Sequence, residues 1–102
     1  MATSHPSKNA DVNVPANADW QVYIIECADT TLYTGIARDL DSRIEQHNAG
    51  NGAKYTRGRV PVRLLYCEAH PDRSSAQSRE ATIKRLSRAD KLNLIATAPR
   101  KP

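Results

Sequence analysis

The stretch from Trp20 to Cys27 constrains the fold more than any other part of the chain. It reads Trp-Gln-Val-Tyr-Ile-Ile-Glu-Cys, dense in β-branched and aromatic residues, and so favours a strand. Asp29-Thr30-Thr31 is a turn signal, and Leu32 to Ile36 is a second short strand, so the pair predicts an antiparallel hairpin. A period of two puts Trp20, Val22 and Ile24 on one face and Gln21, Tyr23 and Ile25 on the other. Such a sheet is marginal until helices cover its apolar surface.

The rest of the chain supplies that cover. Asp39 is a helix N-cap ahead of Leu40 to Asn48, and Asn48 to Gly52 supplies the stop. Ala53 to Pro61 reads as a loop, and Val62 to Glu68 as a third strand with Arg63 the one charge inside it. Pro71 and Asp72 break the chain. Ser74 with Gln77 predicts a capping box for a second helix running to about Leu86, and Ser87 with Asp90 one for a third, from Arg88 to about Thr97. The order β-β-α-β-α-α predicts an α/β (α+β) fold, a small three-stranded antiparallel sheet flanked by helices.

With 102 residues the chain has room for one domain. Residues 1–19 carry no apolar periodicity and read as a disordered tail. The domain spans 20–97, and 98–102 read as a disordered C-terminus. No apolar run resembles a secretory signal or a membrane span, so a cytoplasmic protein with no membrane partner is expected. Cys27 and Cys67 then read as buried thiols, and two cysteines alone make a poor zinc site.

The net charge is +4, unevenly spread. From Gln46 to Cys67 there is no acid, while Lys54, Arg57, Arg59 and Arg63 fall in that stretch. Arg79, Lys84, Arg85, Arg88 and Lys91 form a second basic run, broken by Glu80 and Asp90. Such a bias draws polyanions, nucleic acid above all, although a solvated basic surface has the same composition.

Against this background a few residues stand out. Tyr23 and Tyr33 lie on the two strands of the hairpin, the second in a Tyr-Thr-Gly step ending at Gly35. Gly35 lets the chain leave the sheet or another backbone approach closely. On the first helix Leu40, Arg43, Ile44 and His47 form one stripe, so Arg43 and His47 are held near the sheet-facing side. Glu80 sits mid-helix. Taken singly, each has a plain structural reading: strand packing for the tyrosines, a helix-end cation for His47, an i,i+4 ion pair with Lys84 for Glu80. Together they supply what phosphodiester hydrolysis needs: a carboxylate for a divalent ion, a proton acceptor and a cation for the developing phosphate charge. A phenol has an ordinary pKa of about 10, so it takes the acceptor role at neutral pH only if a nearby cation lowers that value.

The residues from Trp20 to about Ile95 resemble the GIY-YIG nuclease superfamily, especially its small single-domain bacterial members, which are similar to the N-terminal nuclease domain of the UvrC excinuclease. Gln21-Val22-Tyr23 stands where the family has Gly-Ile-Tyr, and Tyr33-Thr34-Gly35 where it has Tyr-Ile-Gly. Arg43, His47 and Glu80 match its helix arginine, the His or Tyr one turn later and its metal-binding glutamate. Lys54-Tyr55-Thr56-Arg57 also looks like the small members. Two departures stand out: Gln21 replaces the first Gly, and Ile36 stands where some relatives have a Lys.

The resemblance implies a metal-dependent endonuclease acting on DNA, in repair or recombination. Tyr23 or Tyr33 would be the general base, His47 would assist, Arg43 would stabilise the transition state and Glu80 would bind one Mg²⁺ or Mn²⁺. Arg38, Lys54, Arg57, Arg59 and Lys84 are the expected DNA contacts, on branched or single-stranded DNA, with no small-molecule cofactor. A homodimer is the simplest way for so small a chain to cut both strands. The competing expectation is a nucleic-acid-binding module of the same fold with weak turnover.

Overall fold

The computed structural model describes residues 19–98. The expected tail over 1–18 and the last residues, 99–102, lie outside the described residues. Three strands form one antiparallel sheet: β1 (Trp20–Glu26), β2 (Leu32–Ala37) and β3 (Arg63–His70), in the order β2-β1-β3. The helices are α1 (Leu40–Asn48), α2 (Arg73–Lys84) and α3 (Arg88–Ala96). The order is therefore β-β-α-β-α-α, and the fold is α+β.

As the middle strand, β1 is buried on both faces, which explains its nearly unbroken apolar run. On one face Tyr23 and Ile25 pack with Leu40 and Ile44 of α1 and with Val62 and Leu64. On the other, Val22 and Ile24 pack with Tyr66, Ala76 and Ile83 of α2 and Ile95 of α3. A register shift between Ile24 and Ile25 makes this possible. Ile24 pairs with Tyr66 and Ile25 with Leu64, so an extra β3 residue is passed over. Without that bulge Leu64 and Tyr66, two apart, would share a face; with it each feeds a different core.

Asp39 caps α1 by accepting from the Ser42 amide, and Ser87 caps α3 by accepting from the Asp90 amide, both as the sequence predicts. The second helix differs. Its cap is Asp72, accepting from the Ser75 amide at 2.8 Å, and not Ser74. Two overlapping polar triplets compete there, and the carboxylate two residues earlier takes the cap. The predicted loop from Ala53 to Pro61 holds one 3₁₀ turn, Lys54–Thr56. β3 starts one residue later than predicted and runs two further, to His70, which brings Glu68 inside the strand.

Asn48, the last residue of α1, ties the ends of the following loop together. Its side chain accepts from the Val62 amide at 2.6 Å and donates to the Val62 carbonyl at 3.3 Å. The intervening segment is thereby pinned against α1, which places Gly52 and Thr56 beside His47. Both cysteines are free thiols, Cys27 buried and Cys67 half-buried.

Candidate active site

Tyr23 points from the middle of β1 into the space between the sheet and α1, and none of it is exposed. Its hydroxyl lies 2.9 Å from His47 Nε2. On the far side of the ring, His47 Nδ1 lies 2.7 Å from Thr56 Oγ1, and that hydroxyl donates to the Ala53 carbonyl at 2.9 Å. The proton positions follow from these partners. A carbonyl only accepts, so Thr56 spends its hydrogen on Ala53 and accepts from Nδ1–H. Nε2 is left with its lone pair, and Tyr23 O–H donates to it.

Burial and then the charge of Arg43 push His47 down to about 4, so the ring is neutral at neutral pH. Burial pushes the Tyr23 phenol up to about 12, against the pull of Arg43, whose guanidinium reaches its hydroxyl. Tyr33 and the Glu80 carboxylate add to the rise. Arg43 is half-buried and donates from Nη1 to Gln46 Oε1 at 3.0 Å. The plain reading of His47 as a helix-end cation does not hold, because the ring is fully buried and uncharged.

Two glycines make the arrangement possible. A Cβ on Gly35 would stand 2.5 Å from the Tyr23 hydroxyl oxygen and 2.7 Å from Cζ. The close approach at Gly35 is that of a side chain, the Tyr23 ring, and not of another backbone. A Cβ on Gly52 would run into the His47 imidazole and come within 2.8 Å of the His47 Cα.

Tyr33, half-buried on β2, has its ring centroid 6.4 Å from that of Tyr23 and 5.5 Å from that of His47. It stacks on Tyr55 at 5.8 Å with the planes 24° apart. Lys84 Nζ stands 5.9 Å from the Tyr33 centroid and pairs with Glu80 at 3.3 Å, so the i,i+4 ion pair is present. Among the described residues no group of three His, Cys, Asp or Glu side chains stands together.

The predicted DNA contacts are dispersed. Lys54 and Arg57 are exposed on the 3₁₀ turn and just after it. Arg59 is committed, bonding Asp29 at 2.6 Å and lying 4.3 Å over the Tyr55 ring. Arg38 lies at the opposite end of the hairpin, 5.8 Å over the Trp20 ring, with Arg73 also over that ring at 5.7 Å. Sequence reasoning read Gly52 only as part of the helix stop and Tyr55 and Thr56 only as part of a family-like stretch, with no role for the Thr56 hydroxyl. The available signal was an aromatic and a threonine in a loop with no apolar pattern to account for them.

Residues 19–93 match the model of the GIY-YIG catalytic domain, and the chain belongs to that family. Membership supports a nuclease-like function. Within it, the chain is similar to proteins designated UPF0213. The one from Natronomonas pharaonis is 52% identical over 79 residues, covering 78% of this chain and 93% of that one. The one from Clostridium perfringens is 54% identical over 76 residues, covering 74% and 82%. The solution structure of the UPF0213 protein BH0048 from Bacillus halodurans matches with a TM-score of 0.50 and 47% identity, over 76% of this chain and 82% of that one. No helix among the described residues is long and apolar enough to cross a membrane.

Proposed function

We propose that the chain is a metal-dependent endonuclease that hydrolyses DNA phosphodiester bonds, with a role in repair or recombination. The observation that carries this reading is the Tyr23–His47–Thr56 line of hydrogen bonds, set among Arg43, Tyr33 and Glu80 in a chain of the GIY-YIG family. Tyr23 is the proton acceptor for the attacking water. It passes its own proton to Nε2 of His47 as it takes one from water, so a free phenolate with a pKa near 12 never has to accumulate. Thr56 holds the ring in the tautomer that leaves Nε2 open. Arg43 favours negative charge on the phenol and faces the phosphate charge that grows during attack.

Glu80 is the side chain that would hold a divalent ion, Mg²⁺ or Mn²⁺. A single carboxylate suits Mg²⁺, which keeps several waters and takes other ligands from phosphate oxygens. Such an ion supplies Lewis-acid stabilisation of the phosphate. Lys84 must release Glu80 for this, and it then stands beside Tyr33 as a phosphate contact. Lys54 and Arg57 bind the backbone of the same DNA.

The test is incubation with branched, flapped and duplex DNA in Mg²⁺ or Mn²⁺. Cutting is expected, and Glu80→Ala is expected to abolish it. Cutting that survives in Glu80→Ala rules out the assigned role of Glu80. Salt-sensitive binding without any cutting would identify the chain as a DNA-binding module of the same fold.

A further inference from the structure

A pocket of about 220 Å³ opens next to Tyr55, lined by Thr31, Leu32, Tyr55, Arg88 and Lys91. We propose that it binds one unstacked nucleotide of a single-stranded DNA segment, adjacent to the phosphate that is cut. Its place beside a cut phosphate rests on the nuclease reading; the nucleotide site itself does not.

The lining matches a nucleotide better than either of its parts. Leu32 and the Tyr55 ring offer apolar and aromatic surface, which a bare anion does not use. Arg88 and Lys91 offer two positive charges, which a bare base does not need. They stand three residues apart on α3 and so on one side of it. Among the described residues neither is paired with a carboxylate. Arg88 is fixed by donating from Nη1 to the Thr30 carbonyl at 3.0 Å, and a guanidinium has further N–H groups for a phosphate. Asp29, the acid of the neighbouring turn, is occupied by Thr31 at 2.6 Å and Arg59 at 2.6 Å, so the pocket keeps its positive balance.

The pocket is also built in advance. Tyr55 is held by its stack on Tyr33 and by the Arg59 guanidinium, so its ring forms a fixed wall although it is 43% exposed. That stack places the pocket one ring from Tyr33, and Tyr33 is one ring from Tyr23. A strand leaving the pocket on that side meets the half-buried Tyr33 and Lys84 beside it. A base can lie against Leu32 and Tyr55, with its phosphate between Arg88 and Lys91, only when it is not stacked within a duplex. Only a nucleotide that has left its duplex, or was never in one, can enter. The substrate class is therefore DNA with an unpaired nucleotide at the cut, such as a flap or a gap.

Titration of isotope-labelled protein with thymidine 5′-monophosphate, without metal, tests the site by amide shifts. Thr31, Leu32, Tyr55 and Lys91 are expected to shift, more than with inorganic phosphate or thymidine at the same concentrations. Equal shifts with phosphate alone, or shifts confined to other residues, overturn the proposal. Lys91→Glu is expected to weaken oligothymidylate binding about tenfold in EDTA and hairpin duplex binding by less than about twofold. Equal losses for the two ligands overturn the selection for unpaired DNA. Cutting by the wild type with no pocket shifts removes this proposal alone; pocket shifts with no cutting remove the nuclease reading alone.

Discussion

On the α1 face of the sheet, Tyr23, His47 and Thr56 form a line of hydrogen-bonding groups with no carboxylate in it. On the α2 face, Tyr66, Glu68, His70 and Ser75 form a similar line with a carboxylate in its middle. Tyr66 donates to Glu68, His70 Nε2 lies 2.7 Å from Glu68, and His70 Nδ1 lies 2.5 Å from Ser75 Oγ. Arg79 adds an ion pair to Glu68 at 2.9 Å. Both faces thus hold a tyrosine, a histidine and a hydroxyl, and both phenols are pushed up to about 12, first by burial.

The carboxylate changes what such a line can do. Burial raises Glu68, yet bonds from Tyr66, His70 and Arg79 outweigh it and hold the carboxyl below its ordinary 4.5. A fixed negative charge with three partners ties β3 to α2 and keeps its proton acceptor permanently occupied. His47 carries no charge and offers one lone pair, so it can take a proton and return it. One line behaves as a fastening and the other as a relay, although their residues are nearly the same.

The sharpest way to break this contrast is Tyr23→Phe. It should lower cutting about 10²–10⁴-fold, read by single-turnover cleavage, while the chain stays folded. An enzyme that keeps its rate places the proton acceptor elsewhere, with Tyr33 next in line.

The two hydrogen-bonded lines also separate by pH. The His47 value falls from 6.5 to about 4 on folding, so between these values the unfolded chain binds more protons than the folded one. Stability should therefore fall as pH drops from about 6.5 to about 4, by about 3 kcal/mol in all. Glu68 has a lowered value, so its contribution is present above 4.5 and is lost only below it. Urea midpoints across this range should show the first slope vanish in His47→Gln and the second in Glu68→Gln.

Smaller effects sharpen the picture further. Gly52→Ala should cost about 1–3 kcal/mol and also slow cutting, because the new methyl meets the His47 backbone as well as its ring. Glu68→Gln should cost about 1–2 kcal/mol in denaturation and leave cutting nearly unchanged. A large loss of cutting in that variant would mean that the α2 network also positions Glu80.

How much of this was legible in the sequence depends on range. The hairpin, the α1 stripe and the caps at Asp39 and Ser87 are local patterns, and they read correctly from a few neighbouring residues. The α2 cap did not, because Asp72 and Ser74 both offer a capping oxygen and the local pattern does not choose between them. Tyr23, Tyr33 and His47 could be singled out by type and spacing. Their grouping through Gly52 and Thr56 could not, since it depends on Asn48 pinning a loop that has no periodicity of its own. The commitment of Arg59 to Asp29, across 30 positions, was equally invisible to a reading based on charge runs.

Trp20 is the only tryptophan in the chain, and two guanidiniums lie over its ring at the end of the hairpin away from Tyr55. Its emission is therefore a built-in optical gauge. It reads whether Arg38 and Arg73 stay where they are, and it does so without a label. A ligand that fills only the pocket beside Tyr55 should leave that light unchanged. A DNA long enough to draw Arg38 off the indole should alter it. The same spectrum can thus separate a molecule that occupies one corner of the protein from one that runs along its length.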